Sequence, residues 1–463
     1  DKATLHSCLL VNHLWCQVSV RILWRNVWGY KCKPHKLHQF LNTLTTCLPN
    51  ESKELLRKNG IYISRQSSLL NYASYCRVLS IHEIDRMIQY VLKNQCSTPW
   101  GLRYHKYLLS QEILKMFMKQ IPSLKELKCD SIENLSNASF IHFPGSLECL
   151  KNLSVLKCSS GVYPEFFYQL SQSCHNIQSL TIKVKCEISN GLIDLISLQN
   201  NLKHLTLIII QTSFDNQWTE IIPSLTNHSK TLIKLRIYGG ENYGPLSFIA
   251  DFKNLQELFL SFYYLDTFGD FKELQHVDFP HLRILKFPYG YPNHEYLIKF
   301  LERNGKNLIE FDIGDDNVYS NLAIAKFCPN LRILSTLIDD LSTLEEILIN
   351  CQQLESLKVW CGNGNDFFNE SELLELIAKC SPKMFYELKI YYAENVQSEL
   401  LSKELESFLS NWTNRTPLSL IIINNNRYCS NSLDTKNENM RIIEKYHKLG
   451  IIKKFKILIE DDE

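Results

Sequence analysis

A chain of 463 residues is long for one ordinary globular core, though not for a stacked array of repeats. Hydrophobic residues make up 45% and charged residues 21%, the balance of a folded protein, and a formal net charge of +1 argues against a dedicated nucleic-acid binder held by phosphate contacts. The sixteen cysteines include no Cys-x-x-Cys pair and are spread over the whole length, which fits thiols of a reducing compartment rather than a metal or disulfide framework.

In chain order, the first expected element is helical. Leu5, Cys8, Leu9, Asn12 and Cys16 follow helical spacing, and Leu10, Val11, Leu14 and Trp15 widen the apolar face. The pattern predicts one short helix buried along much of its circumference, with a second over Gln17–Trp24. Asp1 already lies inside this apolar pattern, as expected of a fragment or a lost start. Leu9-Leu10-Val11-Asn12-His13-Leu14-Trp15 followed by Leu23-Trp24 resembles the carboxyl half of an F-box, whose pattern is Val-Cys-Arg-x-Trp with a later Leu-Trp. Val11, Trp15, Leu23 and Trp24 match it; Asn12 stands where a Cys is usual, His13 stands where a basic residue is usual, and the amino half of the motif is absent. The alternative on the same residues is a helix that only caps a solenoid.

Residues 29–75 read as a helical junction: Leu37, Phe40, Leu41 and Leu44 make an amphipathic helix closed by Pro49-Asn50, Lys53–Lys58 a short charged helix, and Ile61-Tyr62-Ile63 a possible strand. From Cys76 to Ile423 one frame recurs: an apolar residue, two variable ones, Leu or Phe, one variable, then another apolar residue. It starts at Cys76, Leu124, Leu153, Ile177, Leu202, Leu232, Leu255, Leu282, Leu308, Leu331, Leu354, Phe385 and Leu418; Thr336 spoils the last position of the Leu331 frame. Starts from 124 to 354 are 23–30 residues apart, which is the length of leucine-rich repeats. The frame's apolar positions should point inward and the others out. Tyr163–Ser173, Glu295–Asn304, Leu341–Ile349 and Glu372–Lys379 are the expected intervening helices. Cys174, Cys328, Cys351 and Cys380 stand at the helix-to-strand turn, where packing is their expected role; the arrangement resembles the cysteine-containing leucine-rich repeats of F-box proteins. Residues 424–463 form the expected cap: a loop over Asn424–Asn431, a helix over Asn437–Leu449 closed by Gly450, a strand over Ile451–Ile459 and a solvated acidic tail at Glu460–Glu463.

No phosphate-binding Gly-rich loop, His-Glu-x-x-His or nucleophile elbow occurs, so no enzyme, cofactor or metal is expected, and no apolar run is long enough to span a membrane. One outward position carries Lys128, Lys157, Arg236, Lys286, Lys358 and Lys389, with Tyr238, Phe259, Trp360 and Tyr391 nearby. This row suits an acidic or phosphorylated segment. Equally, Glu126, Glu257, Glu310 and Glu387, with Asp312 interrupting the row, fit an ordinary solvated face of ion pairs.

Together the chain resembles a fungal F-box/leucine-rich-repeat protein. The resemblance implies an α/β solenoid, a horseshoe with parallel strands on its concave face and helices on its convex face, behind partial F-box helices over 1–28. It implies a substrate-recognition subunit of an SCF-type cullin-RING ubiquitin ligase in the cytoplasm or nucleus. Leu9, Leu10, Val11, Trp15, Leu23 and Trp24 would form the module docking a Skp-type adaptor and, through it, the cullin, and the repeats would hold a protein target. A leucine-rich-repeat scaffold with no ligase link is the alternative.

Overall fold

The computed structural model describes residues 2–29, 34–64, 66–68, 70–93, 98–129, 139–210, 217–239, 244–262, 268–314, 320–338, 340–361, 369–392, 398–424 and 432–459. The chain forms two compact units, Asp1–Leu232 and Ile233–Glu463, each α/β with parallel strands in sequence order. The first contains β1 (Val78–Ser80), β2 (Glu126–Cys129), β3 (Val155–Ser159), β4 (Ser179–Val184) and β5 (His204–Ile209), each paired with the next. In the second, β6 (Lys234–Gly239), β7 (Glu257–Phe262), β8 (Ile284–Phe287), β9 (Glu310–Ile313), β10 (Ile333–Ser335), β11 (Ser356–Cys361), β12 (Glu387–Tyr392), β13 (Leu418–Asn424) and β14 (Ile452–Ile459) pair in the same way.

The recurring frame explains the strands. Register aligns Leu127, Leu156, Leu180 and Leu205 in the first unit, and Leu235, Leu258, Leu285, Phe311, Leu334, Leu357, Leu388 and Leu420 in the second. All are fully or almost fully buried, so each strand completes its neighbour's core. Parallel neighbours require a crossover, and helices supply it: Pro164–Ser173, His294–Asn304, Leu341–Asn350 and Glu370–Cys380 stand where the periodicity placed them. A Cβ on Gly191 would lie 2.5 Å from the Pro164 carbonyl oxygen, so glycine is what lets helix Asn190–Ser197 close against helix Pro164–Ser173. In the second unit aromatic rings fill this layer; Phe271 meets Phe287 and Phe300 at centroid distances of 5.8 and 5.3 Å.

At the helix-to-strand turns a buried side chain reaches back to the backbone of the preceding turn. Cys174 Sγ donates to the Leu150 carbonyl (3.0 Å) and Cys351 Sγ to that of Cys328 (3.4 Å). Gln199 Nε2 donates to the Cys174 carbonyl (2.8 Å), His228 Nε2 to that of Ile196 (2.8 Å) and Asn304 Nδ2 to that of Val277 (2.9 Å). Cys174 and Cys351 are therefore one solution among several to pairing a carbonyl at these turns, whereas the half-buried Cys380 directs its thiol to Glu345 Oε1 (3.5 Å).

Four local expectations differ from the structure. The break between the two amino-terminal helices falls before His13 rather than at Gln17: Lys2–Cys8 ends, and Asn12 caps the second helix, His13–Leu23, by accepting from the Trp15 N–H (2.9 Å). Ile61–Ile63 is not a strand. Thr336 is fully buried despite its hydroxyl, because that hydroxyl donates to Asn321 Oδ1 (2.9 Å). In β13 the frame is displaced by one residue: Leu420 and Ile422, not Ile421 and Ile423, align with Leu388 and Ile390. All seven residues of β13 are buried, so alternation does not mark its faces. The cap contains helix Asn437–Lys448, Gly450 at φ 75° and β14; most of the expected loop over 424–431 and the acidic tail lie outside the described residues.

Candidate functional site

Two surfaces stand out, one in each unit. In the first, helix His13–Leu23 buries Ser19, Val20 and Leu23 and turns Leu14, Trp15, Val18 and Ile22 outward, at 69, 52, 50 and 42% exposure. Leu10 (89%) and Val11 (60%) in the preceding turn are exposed as well, while Leu9 is half-buried. The expectation of burial around the circumference is therefore corrected. Only the opposite face packs, and the outward face is an apolar stripe larger than single scattered residues make.

The helix is nevertheless firmly seated. Trp24 stacks on Phe40 (centroids 5.5 Å) and meets Tyr72 (4.7 Å). Trp28 Nε1 donates to the Val78 carbonyl of β1 (2.8 Å), and its ring meets Phe40 and Phe117. The Arg77 N–H donates to the Arg25 carbonyl (2.9 Å). Of the six residues expected to form the docking module, Leu10, Val11 and Trp15 thus offer surface, whereas Leu23 and Trp24 anchor the helix from beneath. Val18 and Ile22 escaped the sequence reading, although their spacing from Leu14 and Trp15 marks the same face.

In the second unit, the strand side chains opposite the leucine row form a groove of about 530 Å³. It brings together Tyr238, Phe259, Lys286, Lys358, Trp360, Lys389 and Tyr391 and adds Tyr289, Asp312 and Ser335. Register makes the floor a row across the strands: Phe259, Lys286, Asp312, Ser335, Lys358, Lys389. Lys128 and Lys157 pair in register in the first unit and are not part of this groove.

Several cations of the expected row stand in ion pairs. Lys128 and Lys157 both approach Glu126 (3.4 and 3.8 Å), Lys286 pairs with Glu310, and Glu257 holds Arg236 and Lys234 (3.0 Å to the latter). Burial alone would raise the Glu257 carboxyl, but hydrogen bonds and charges from Lys234 and Arg236 hold it below the usual range. Glu387 instead accepts from the Ser356 hydroxyl (2.9 Å). Lys358 and Lys389 are side by side in register, with the Lys358 ammonium 5.5 Å from the ring centroids of both Trp360 and Tyr391.

Trp360 and Tyr391 line this end but offer little area: they are 5 and 2% exposed, packed with Leu337, Ile421, Ile423 and Leu458. The displaced frame of β13 is the cause, since it turns two isoleucines onto this face. Two polar atoms here are buried without a hydrogen-bond partner among the described residues, the Ser335 hydroxyl and the Trp360 indole N–H. No group of three or more His, Cys, Asp or Glu side chains among the described residues is arranged to hold a metal ion, and no helix among them is long and apolar enough to cross a membrane.

No protein-family model matches the chain, and no curated protein matches it.

Proposed function

We propose that this chain is a leucine-rich-repeat solenoid of the F-box class, serving as the substrate-recognition subunit of an SCF-type ubiquitin ligase in the cytoplasm or nucleus. On this reading the strands line the concave face of a horseshoe and the helices its convex face. The observation that carries it is the apolar stripe of Leu14, Trp15, Val18 and Ile22 on helix His13–Leu23, extended by Leu10 and Val11 in the preceding turn, with Trp24 and Trp28 fixing the helix to the first unit. A helix that merely capped a core would turn its apolar residues toward that core. This one has an apolar face on each side, so one face is left for a partner, and a Skp-type adaptor is the partner the resemblance implies. The protein would do no chemistry itself; it would raise the effective concentration of a target near the transferred ubiquitin.

The test is calorimetry with a Skp-type adaptor, using this chain and a longer form that carries the amino half of the motif. Leu14→Glu with Val18→Glu should reduce adaptor affinity at least 100-fold while leaving the circular dichroism unchanged. A folded, longer form that does not bind the adaptor would leave the scaffold reading, with the amino-terminal helices as a cap.

A further inference from the structure

Helix Pro99–Gln120 of the first unit changes character halfway along. Its carboxyl half is core: every residue from Leu109 to Met118 except Lys115 is buried, and Gly145, just before the five-residue helix Ser146–Leu150, lies against the Met118 carbonyl. No residue from Pro99 to Leu108 is buried. The helix has 22 residues, about 33 Å, and its first turns stand clear of the core that covers the rest. Trp100, Arg103, Tyr104 and Tyr107 recur at i, i+3, i+4 and i+7 on one face of this exposed half, the three rings 80, 52 and 42% exposed. Other contacts hold the half in place. Lys106 pairs with Asp85 of helix Ile81–Leu92 (2.7 Å), and the Tyr104 hydroxyl donates to Asn59 Oδ1 (3.0 Å), just past helix Asn50–Lys58. Tyr90 of helix Ile81–Leu92 adds a fourth ring, 46% exposed.

We propose that this face binds the surface of an anionic lipid bilayer, with its rings at the level of the headgroups. Three observations select that occupant. The exposed large side chains of the two helices, Tyr90, Trp100, Tyr104 and Tyr107, each join an apolar ring to a polar tip, which suits a layer that is apolar on one side and wet on the other. The stripe on helix His13–Leu23 differs, because Leu14, Val18 and Ile22 have no polar tip to leave in water. The charge is one-sided. Lys93 and Arg103 are exposed with no ion-pair partner among the described residues, whereas Glu83, Asp85 and Glu112, the carboxylates of these helices, are paired with Arg86, Lys106 and Lys115. Cations left over beside such rings match lipid phosphates and carboxylates, and the Arg103 stem can lie along the rings while its guanidinium reaches a headgroup. The third observation is shape. Trp100 and Tyr107 are about 10 Å apart along the axis of a projecting half-helix, so a flat surface meets the whole face at once. This face is on a different helix from the adaptor stripe, so lipid binding neither needs nor replaces adaptor binding; it would add a place of action to whatever the protein recognises.

The experiment is vesicle flotation with the whole chain, using phosphatidylcholine vesicles with and without phosphatidylserine. The chain should float with the mixed vesicles and bind them at least ten-fold more tightly than the neutral ones, and added salt should weaken that binding. Trp100→Ser with Tyr107→Ser should reduce binding at least ten-fold, with circular dichroism unchanged because both positions are exposed. Lys93→Gln with Arg103→Gln should abolish the preference for phosphatidylserine. The emission of Trp100, taken as the difference from Trp100→Phe, should shift to the blue on binding. Leu14→Glu with Val18→Glu is the control and should leave flotation unchanged. No flotation with the mixed vesicles, flotation indifferent to the Trp100 and Tyr107 variant, or its loss in the Leu14 and Val18 variant would overturn the lipid surface. Retention on immobilised poly-glutamate without flotation would overturn it too and assign the face to an acidic protein segment.

Discussion

Truncating Gln199 to alanine is the sharpest test of how the turns are held together. The side chain is 5% exposed, and its amide makes three bonds of 2.8 Å: it accepts from the Ile177 N–H and donates to the Cys174 and Leu195 carbonyls. Gln199→Ala removes the partner of a buried N–H and of two carbonyls, those of Cys174 and Leu195, and a buried group left unpaired costs about 1–3 kcal/mol. Water entering the vacated space recovers part of this, so a loss of about 2–4 kcal/mol is expected. Cys351→Ala removes only a weak thiol donor at 3.4 Å and should cost about 1 kcal/mol or less from that bond. Urea unfolding of both variants gives the energies, and amide exchange at Ile177 gives the location, since that amide should lose its protection selectively. If Gln199→Ala costs less than about 1 kcal/mol, or no more than Cys351→Ala, then apolar stacking alone holds the turns and the clasps are incidental.

Two further outcomes concern the same turns. Burial lowers the His228 pKa below 6.5, against the opposing effect of its bond to Ile196, so as pH falls below 6.5 the unfolded chain takes up the proton first and stability declines; His228→Gln, which can still reach that carbonyl, should show a shallower fall in unfolding free energy between pH 7.5 and 5.5 (an interval about the ordinary histidine pKa), and an unchanged slope would refute the assignment. Burial pushes the thiols of Cys149 and Cys351 up to about 12 and that of Cys174 to about 11, whereas Cys186 is exposed, so Ellman's reagent on the native protein should label Cys186 and reach the other three only on unfolding; mass-spectrometric mapping that finds Cys351 labelled as fast as Cys186 would contradict the packing role.

The parallel strands were legible because an inward-facing apolar residue recurs at every second position of each strand, and that pattern repeats along the chain. The clasps were only half legible. Cysteine drew notice at the turns, but Gln199, His228 and Asn304 serve the same carbonyl geometry, and geometry rather than residue type defines that role. The slip in β13 was hidden because Leu418–Asn424 is apolar on both faces, and with it the burial of Trp360 and Tyr391 was hidden too. In the candidate site, the neighbourhood of Lys358 and Lys389 could be read from the frame. Which lysines pair with glutamates could be read only as an alternative, because side chains two residues apart can meet or part. The outward face of the first helices was misjudged for a simple reason: an apolar stripe in a sequence does not say whether its cover belongs to the same molecule.

The last strand has a consequence for anyone who shortens this chain. β14 lays Lys453, Lys454 and Lys456 along the rim of β13, whose seven residues are all buried and carry no charge. A product ending before Ile452 would leave that bare strand as the margin of its sheet, ready to recruit the same strand from another molecule. The lysines of β14 are thus a solubility fence, and useful truncations keep it.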